Sequence, residues 1–171
     1  ALSGMQSLIS SLASRENKQE LVPLIATTMR LLSESAGCRI EIIQKGGIEI
    51  LAGILPYADD PITLAVTMKA LHNVMKYPTL SDSAFAKCGE VTVQVVRISD
   101  DGIVREYAAA CLFNLAQQSM RGMTSLADDT MAILPKLIAD ENPLTQYFAI
   151  STAGDLFFMK GTDPQHLQTL I

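Results

Sequence analysis

Apolar residues recur along this chain at helical spacing, in segments that end at Gly, Asp-Pro or Asn-Pro steps and then resume. In Gly46-Gly47-Ile48-Glu49-Ile50-Leu51-Ala52-Gly53-Ile54-Leu55 the spacing predicts a short core-facing helix over 48–55, entered through a turn of glycines. Asp60-Pro61 then predicts the start of a longer helix over 62–76. Asp accepts hydrogen bonds from the open amides of a first turn, and Pro has no N–H to leave unpaired there. The order returns: Cys88-Gly89 leads into 91–98 and Asp101-Gly102 caps 103–117. Asp129-Thr130 leads into 131–139 and Asn142-Pro143 caps 144–159. A shorter helix is predicted ahead of each glycine or polar turn, over 39–45, 81–87 and 121–127. Segments 5–13 and 19–33 read as the last two helices of an incomplete unit, and Asp163-Pro164 opens another.

The run Val91-Thr92-Val93-Gln94-Val95-Val96-Arg97-Ile98 alternates and is β-branched, which by itself favours a strand. Its register with 48–55 and 131–139 predicts helix instead, because a lone strand in a helical stack would leave its ladder groups unpaired.

Asp60, Asp101 and Asn142 lie 41 residues apart, and so do Asn73, Asn114 and Asp155. A period in the forties implies a stacked helical solenoid, in which each unit buries its apolar face against a neighbour. The expected fold is all-α, one domain over 1–171. It comprises an incomplete repeat at 1–34, full repeats at 35–76, 77–117 and 118–160, and the start of a further one at 161–171.

Composition agrees: 49% of the 171 residues are hydrophobic, only 5% are aromatic, Trp is absent, and mean hydropathy is +0.25. Such a core suits close helix-on-helix packing. The net charge of −5 argues against the broad phosphate neutralisation that nucleic-acid binding requires. Cys38, Cys88 and Cys111 are widely spaced with no CxxC pair, which suggests neither a disulfide framework nor a zinc site and points to a reducing compartment. The expected location is cytoplasmic, with nuclear or cytoskeletal association as variants. No apolar run approaches the roughly 18–20 residues of a membrane span, so direct insertion is not expected. The chain starts without Met inside an expected helix and stops at Leu170-Ile171 in an apolar segment, which reads as a piece of a longer protein.

Nothing in the sequence points to catalysis, a metal or a cofactor. His72 and His166 lie in different units, and no nucleophile elbow, phosphate loop or dinucleotide fingerprint occurs. The doublets Asp59-Asp60, Asp100-Asp101 and Asp128-Asp129 read as helix caps rather than ligand pairs. Cys111 aligns with Ala70 and Thr152, a small core position.

The glycine turn Gly46-Gly47-Ile48, the Asp60-Pro61 cap, and the runs Ala70-Leu71-His72-Asn73-Val74-Met75 and Ala110-Cys111-Leu112-Phe113-Asn114-Leu115-Ala116 together resemble the armadillo repeat. HEAT repeats are the nearest competitor, with two helices per unit and commonly an Asp and an Arg inside the pair; the glycine turns and the Asn position favour armadillo. The resemblance implies a right-handed superhelix of about four repeats, whose third helices line a concave groove. There a partner segment lies extended in proteins similar to importin-alpha and beta-catenin, held through its backbone by the third-helix Asn. The matching positions are Asn73 and Asn114, with Asp155 in the last unit. An Asn amide offers donors and an acceptor, whereas Asp only accepts.

Helical spacing adds Lys69, His72 and Lys76 around Asn73, then Glu106, Ala110, Phe113 and Gln117 around Asn114, and Ser151, Gly154 and Phe158 around Asp155. Aligned one residue out of step, the incomplete unit adds Thr27, Arg30, Leu31 and Glu34. Lys69, Ala110 and Ser151 stand where nuclear-import adaptors carry Trp. A basic import signal is therefore disfavoured, and a partner with acidic residues toward Lys69 and Lys76 is expected. The function implied is a non-catalytic protein-protein interaction scaffold. Two alternatives stay open. Asn73 and Asn114 could stitch adjacent repeats, and the chain could be an architectural or assembly segment that self-associates through apolar ends around Leu2, Met5, Leu8, Leu167, Leu170 and Ile171.

Overall fold

Three capping side chains decide where the long helices begin. Asp60 accepts from the Thr63 amide (2.8 Å) and the Thr63 hydroxyl (2.6 Å). Asp101 accepts from the amides of Ile103 (2.9 Å) and Val104 (3.0 Å), and Asn142 from that of Leu144 (2.9 Å). In each case a short polar side chain occupies amides that the helix cannot pair internally.

The computed structural model describes residues 18–77, 80–118 and 120–159. Among them the elements are α1 (Lys18–Ser33), α2 (Ala36–Gln44), α3 (Gly47–Ile54), a single 3-10 turn (Leu55–Tyr57), α4 (Pro61–Met75), α5 (Asp82–Ile98), α6 (Gly102–Gln118), α7 (Met120–Ile138) and α8 (Pro143–Met159). The protein is all-α, and no strand occurs among the described residues. The helix expected over 5–13, the start at Asp163-Pro164 and the terminal apolar residues lie outside the described residues.

Contacts divide the chain into two compact units, Ala1–Leu80 and Ser81–Ile171. In the first, α1 packs chiefly along α4, with α2 and α3 filling the remaining side of both. Its core includes Ile25, Met29, Ile42, Ile48, Leu51, Ile54, Met68 and Leu71. The glycine turn falls where expected: Gly46 adopts φ 76°, a left-handed conformation that glycine reaches without steric cost. A Cβ on the next residue, Gly47, would overlap Ile42, so the second glycine serves a close approach.

In the second unit α5 lies against α6 and α7, while α8 lies against α6 and α7. The result is two layers, α5 with α7 and α6 with α8. Two expected breaks are absent. Segments 81–87 and 91–98 form one helix, α5, and segments 121–127 and 131–139 form one helix, α7. Gly89 needs no left-handed backbone; a Cβ there would overlap Leu126, so this glycine lets α5 and α7 touch. Asp129 is correspondingly not a cap. It sits within α7 and pairs with Arg97 at 2.5 Å on the surface.

The β-branched run in α5 is helical, as its register predicts. Val91, Val93, Val95 and Val96 are buried, and the Thr92 hydroxyl donates to the Cys88 carbonyl one turn back (2.8 Å). The C-terminus of α5 is held by Lys136 of α7. Its ammonium donates to the Val96 and Ser99 carbonyls (3.0 Å each) and pairs with Asp100 at 2.9 Å, which holds that carboxyl below the usual range.

Candidate functional site

In the first unit the side-by-side packing of α1 and α4 brings Arg30, Lys69, His72, Asn73 and Lys76 onto these two helices. Arg30 pairs with Glu34 one turn on (2.5 Å). Asn73 is only 7% exposed. Its amide donates to the Ser33 hydroxyl at the end of α1 (3.2 Å), and its carbonyl accepts from Lys76 (3.4 Å). Ser33 in turn donates to the Arg30 carbonyl (2.7 Å). Asn73 thus ties α4 to α1, and much of its hydrogen-bonding capacity is directed inward.

His72 is half-buried on the same helix. Burial, then the positive charges of Lys76 and Lys69, push its imidazole down from 6.5 to about 4. It is neutral at pH 7, so the positive charge of this face is that of its lysines.

In the second unit α6 and α8 run side by side, and polar pairs join them at intervals. Near the helix starts, Asn142 donates to Glu106 (2.6 Å) while its carbonyl oxygen caps α8. Near the ends, Gln117 donates to Asp155 (2.7 Å). Between them Phe113 meets Tyr147 and Phe148, with ring centroids 6.2 and 5.5 Å away. Asn114 and Ser151 are half-buried on the same two helices, and Phe158 is 76% exposed beside Phe157.

One predicted site residue is misplaced. Ala110 is 4% exposed and belongs to the core of the second unit.

Other residues at this site escaped the sequence reading. Arg105 of α6 pairs with Asp140, whose side chain is 2% exposed, and donates to the Asp100 carbonyl. Burial raises the Asp140 carboxyl, but the Asn142 amide (2.9 Å) and the Arg105 guanidinium outweigh it, leaving the carboxyl below its ordinary range. Tyr147 and Ile150 are exposed on α8. Asn142 was legible as a cap, but its second bond depends on a side chain that only packing brings near.

Cys88 and Cys111 are buried, and burial, reinforced by Cys88, raises the Cys111 thiol well above 9.0; such a thiol is a poor nucleophile. Among the described residues no group of three or more His, Cys, Asp or Glu could hold a metal ion, and no helix is long and apolar enough to cross a membrane.

No protein-family model and no curated protein matches this chain. It is similar in fold to two engineered proteins whose crystal structures come from the Northeast Structural Genomics Consortium. One has a TM-score of 0.65 at 20% identity, the other 0.70 at 21%. Each match covers 98% of this chain, which spans 66% of the first engineered protein and 40% of the second. At this identity the likeness is one of helical fold.

Proposed function

We propose that this protein is a non-catalytic interaction scaffold that holds an extended protein segment along its paired long helices. The observation that carries the reading is the face shared by α6 and α8. There Glu106, Phe113, Gln117, Tyr147 and Asp155 combine aromatic surface with hydrogen-bonding groups, the composition by which proteins grip one another. The α1 and α4 face offers Lys69 and Lys76, which suit acidic residues of a partner. Asn73 serves mainly to hold this face together, and Asn114 occupies the equivalent position on α6.

An armadillo-type right-handed superhelix of about four repeats is the finer fold we assign to this scaffold. Its support is the short, medium and long succession α2, α3 and α4 after a glycine turn. The later units favour the two-helix HEAT form, since α5 and α7 are each continuous and Arg105 of α6 pairs with Asp140 in the turn between α7 and α8. Both forms are interaction scaffolds, so the functional reading is the same.

The test is selection from a library of extended peptides, comparing the natural chain with Lys69→Glu/Lys76→Glu. The natural chain should enrich acidic peptides, and the variant should lose them or reverse the preference. Enrichment that is insensitive to the charge reversal would reject binding along this face.

A further inference from the structure

The charge available on the α6 and α8 face has one sign. The charged residues of these two helices are Arg105, Glu106 and Asp155. The Arg105 side chain is 20% exposed and is committed to Asp140 and to the Asp100 carbonyl. Glu106 accepts from the Asn142 amide (2.6 Å) and Asp155 from the Gln117 amide (2.7 Å). Both donors are neutral, so each carboxylate keeps its negative charge, and neither has a cationic partner among the described residues.

Aromatic surface stands beside the first of these carboxylates. Glu106, Ala110 and Phe113 share one side of α6, at steps of four and three residues, and Ala110 between them is small and buried. Tyr147 holds the position of Glu106 one repeat on, 41 residues later. Its ring lies 6.2 Å from that of Phe113 and 5.6 Å, edge-on, from that of Phe148, yet Tyr147 is 58% exposed. Side chains on a helix lean toward its N-terminus, so the rings of Phe113 and Tyr147 lean toward the end of the face where Asn142 holds Glu106. Asn142 precedes Tyr147 by five residues, about 7.5 Å of helix rise, which one long side chain spans.

We propose that this face seats an arginine of the partner, with the guanidinium stacked on Tyr147 and donating to Glu106. The proposal rests on the reading that the α6 and α8 face binds an extended segment, and it names what that segment carries. The occupant follows from charge complementarity. Carboxylates without a cation beside them repel an acidic segment and attract a basic one. The open ring next to Glu106 then selects guanidinium over ammonium. A guanidinium is planar and weakly hydrated, and it can stack on a ring while its N–H groups donate to a carboxylate; the lysine ammonium is a strongly hydrated point charge. Lys69 and Lys76 on α4 call for the opposite charge, so the two units recognise different residues of a partner.

The test is titration of the 171-residue chain with the blocked peptide Gly-Ser-Arg-Ser-Gly, read from the ring signals of Phe113, Tyr147 and Phe148 in carbon-13 NMR spectra. These signals should shift and saturate by about 50 mM, the weak binding expected of one side chain. The same peptide with citrulline, similar in shape and uncharged, should bind at least about threefold more weakly, and the lysine peptide should also be weaker. Tyr147→Ala and Glu106→Gln should each weaken the arginine peptide about two- to fivefold, the effect of losing an exposed cation–ring contact or an exposed ion pair. Far-UV circular dichroism checks the fold, and Tyr147→Leu serves if Tyr147→Ala loses it. Absence of saturable shifts up to about 50 mM overturns the proposal, as does equal binding of the citrulline or lysine peptide, or an affinity unchanged by Glu106→Gln. If acidic peptides are still selected through Lys69 and Lys76, such a result rejects the arginine seat and leaves the scaffold; if that selection fails as well, both fall.

Discussion

Arg105→Ala isolates a buried charge. In the natural chain the Asp140 carboxylate is almost fully enclosed and has two partners, the Asn142 amide at 2.9 Å and the Arg105 guanidinium. Removing Arg105 leaves the carboxylate with the amide alone, and a buried charge stripped of its counter-ion costs about 3–5 kcal/mol. Arg105 itself is 20% exposed, so water can partly replace it, and the lower end, about 3 kcal/mol, is expected. For a chain of this size that corresponds to a melting temperature lower by roughly 6–12 °C.

Urea unfolding followed by circular dichroism measures the loss, and its pH dependence identifies the cause. The natural Asp140 has a folded pKa below its unfolded value of 3.8, so its contribution is present above pH 3.8 and is lost as pH falls through the folded value. In Arg105→Ala the guanidinium no longer lowers the carboxyl, which rises from its natural folded value. The variant's deficit should therefore narrow at acid pH, as the carboxyl takes up its proton. Replacing both partners, as Arg105→Met/Asp140→Leu, should recover most of the loss. A deficit under about 1 kcal/mol, the range of exposed ion pairs, would refute this reasoning, as would one unaffected by pH.

Three further predictions follow from single contacts. Asp60→Ala should cost about 1 kcal/mol in the denaturation midpoint by opening the first turn of α4, and Asp60→Ser should restore most of it. Gly89→Val should destabilise by about 2 kcal/mol or more through overlap with Leu126, and Leu126→Ala in the same chain should relieve part of the loss in thermal melting. His72, held near 4 in the folded chain against 6.5, contributes stability that is complete above pH 6.5 and lost as pH falls toward 4. After allowance for the solvent still reaching the ring, the loss should be roughly 2 kcal/mol, and His72→Gln should flatten that part of the pH profile.

Helix starts were legible because capping is local. Asp60, Asp101 and Asn142 each meet amides two or three residues away, and no distant part of the chain can change that. Helix breaks were not, because a glycine has two uses with one spelling. Gly46 turns the chain with φ 76°, whereas Gly89 continues a helix and makes room for Leu126, a residue 37 positions later. The helical state of Val91–Val96 could be read only from the repeat, since its local pattern suits a strand.

The candidate site shows the same division. Helical spacing placed Phe113, Gln117 and Asp155 on neighbouring helices, where Gln117 and Asp155 now bond. Spacing alone cannot tell a surface from a seam, and so Ala110, which is buried, was assigned to a surface. The inward use of Asn73 was hidden for a related reason: its partner, Ser33, lies 40 positions earlier on a neighbouring helix.

The most direct measurement is hydrogen exchange of the backbone amides with and without a peptide enriched by the natural chain. Binding along the long helices should slow exchange in α4 around Lys69–Lys76 and along the facing turns of α6 and α8, with α5 and α7 unchanged. Protection confined to α5 and α7 would place the partner on the opposite layer and contradict the proposed role of the long helices.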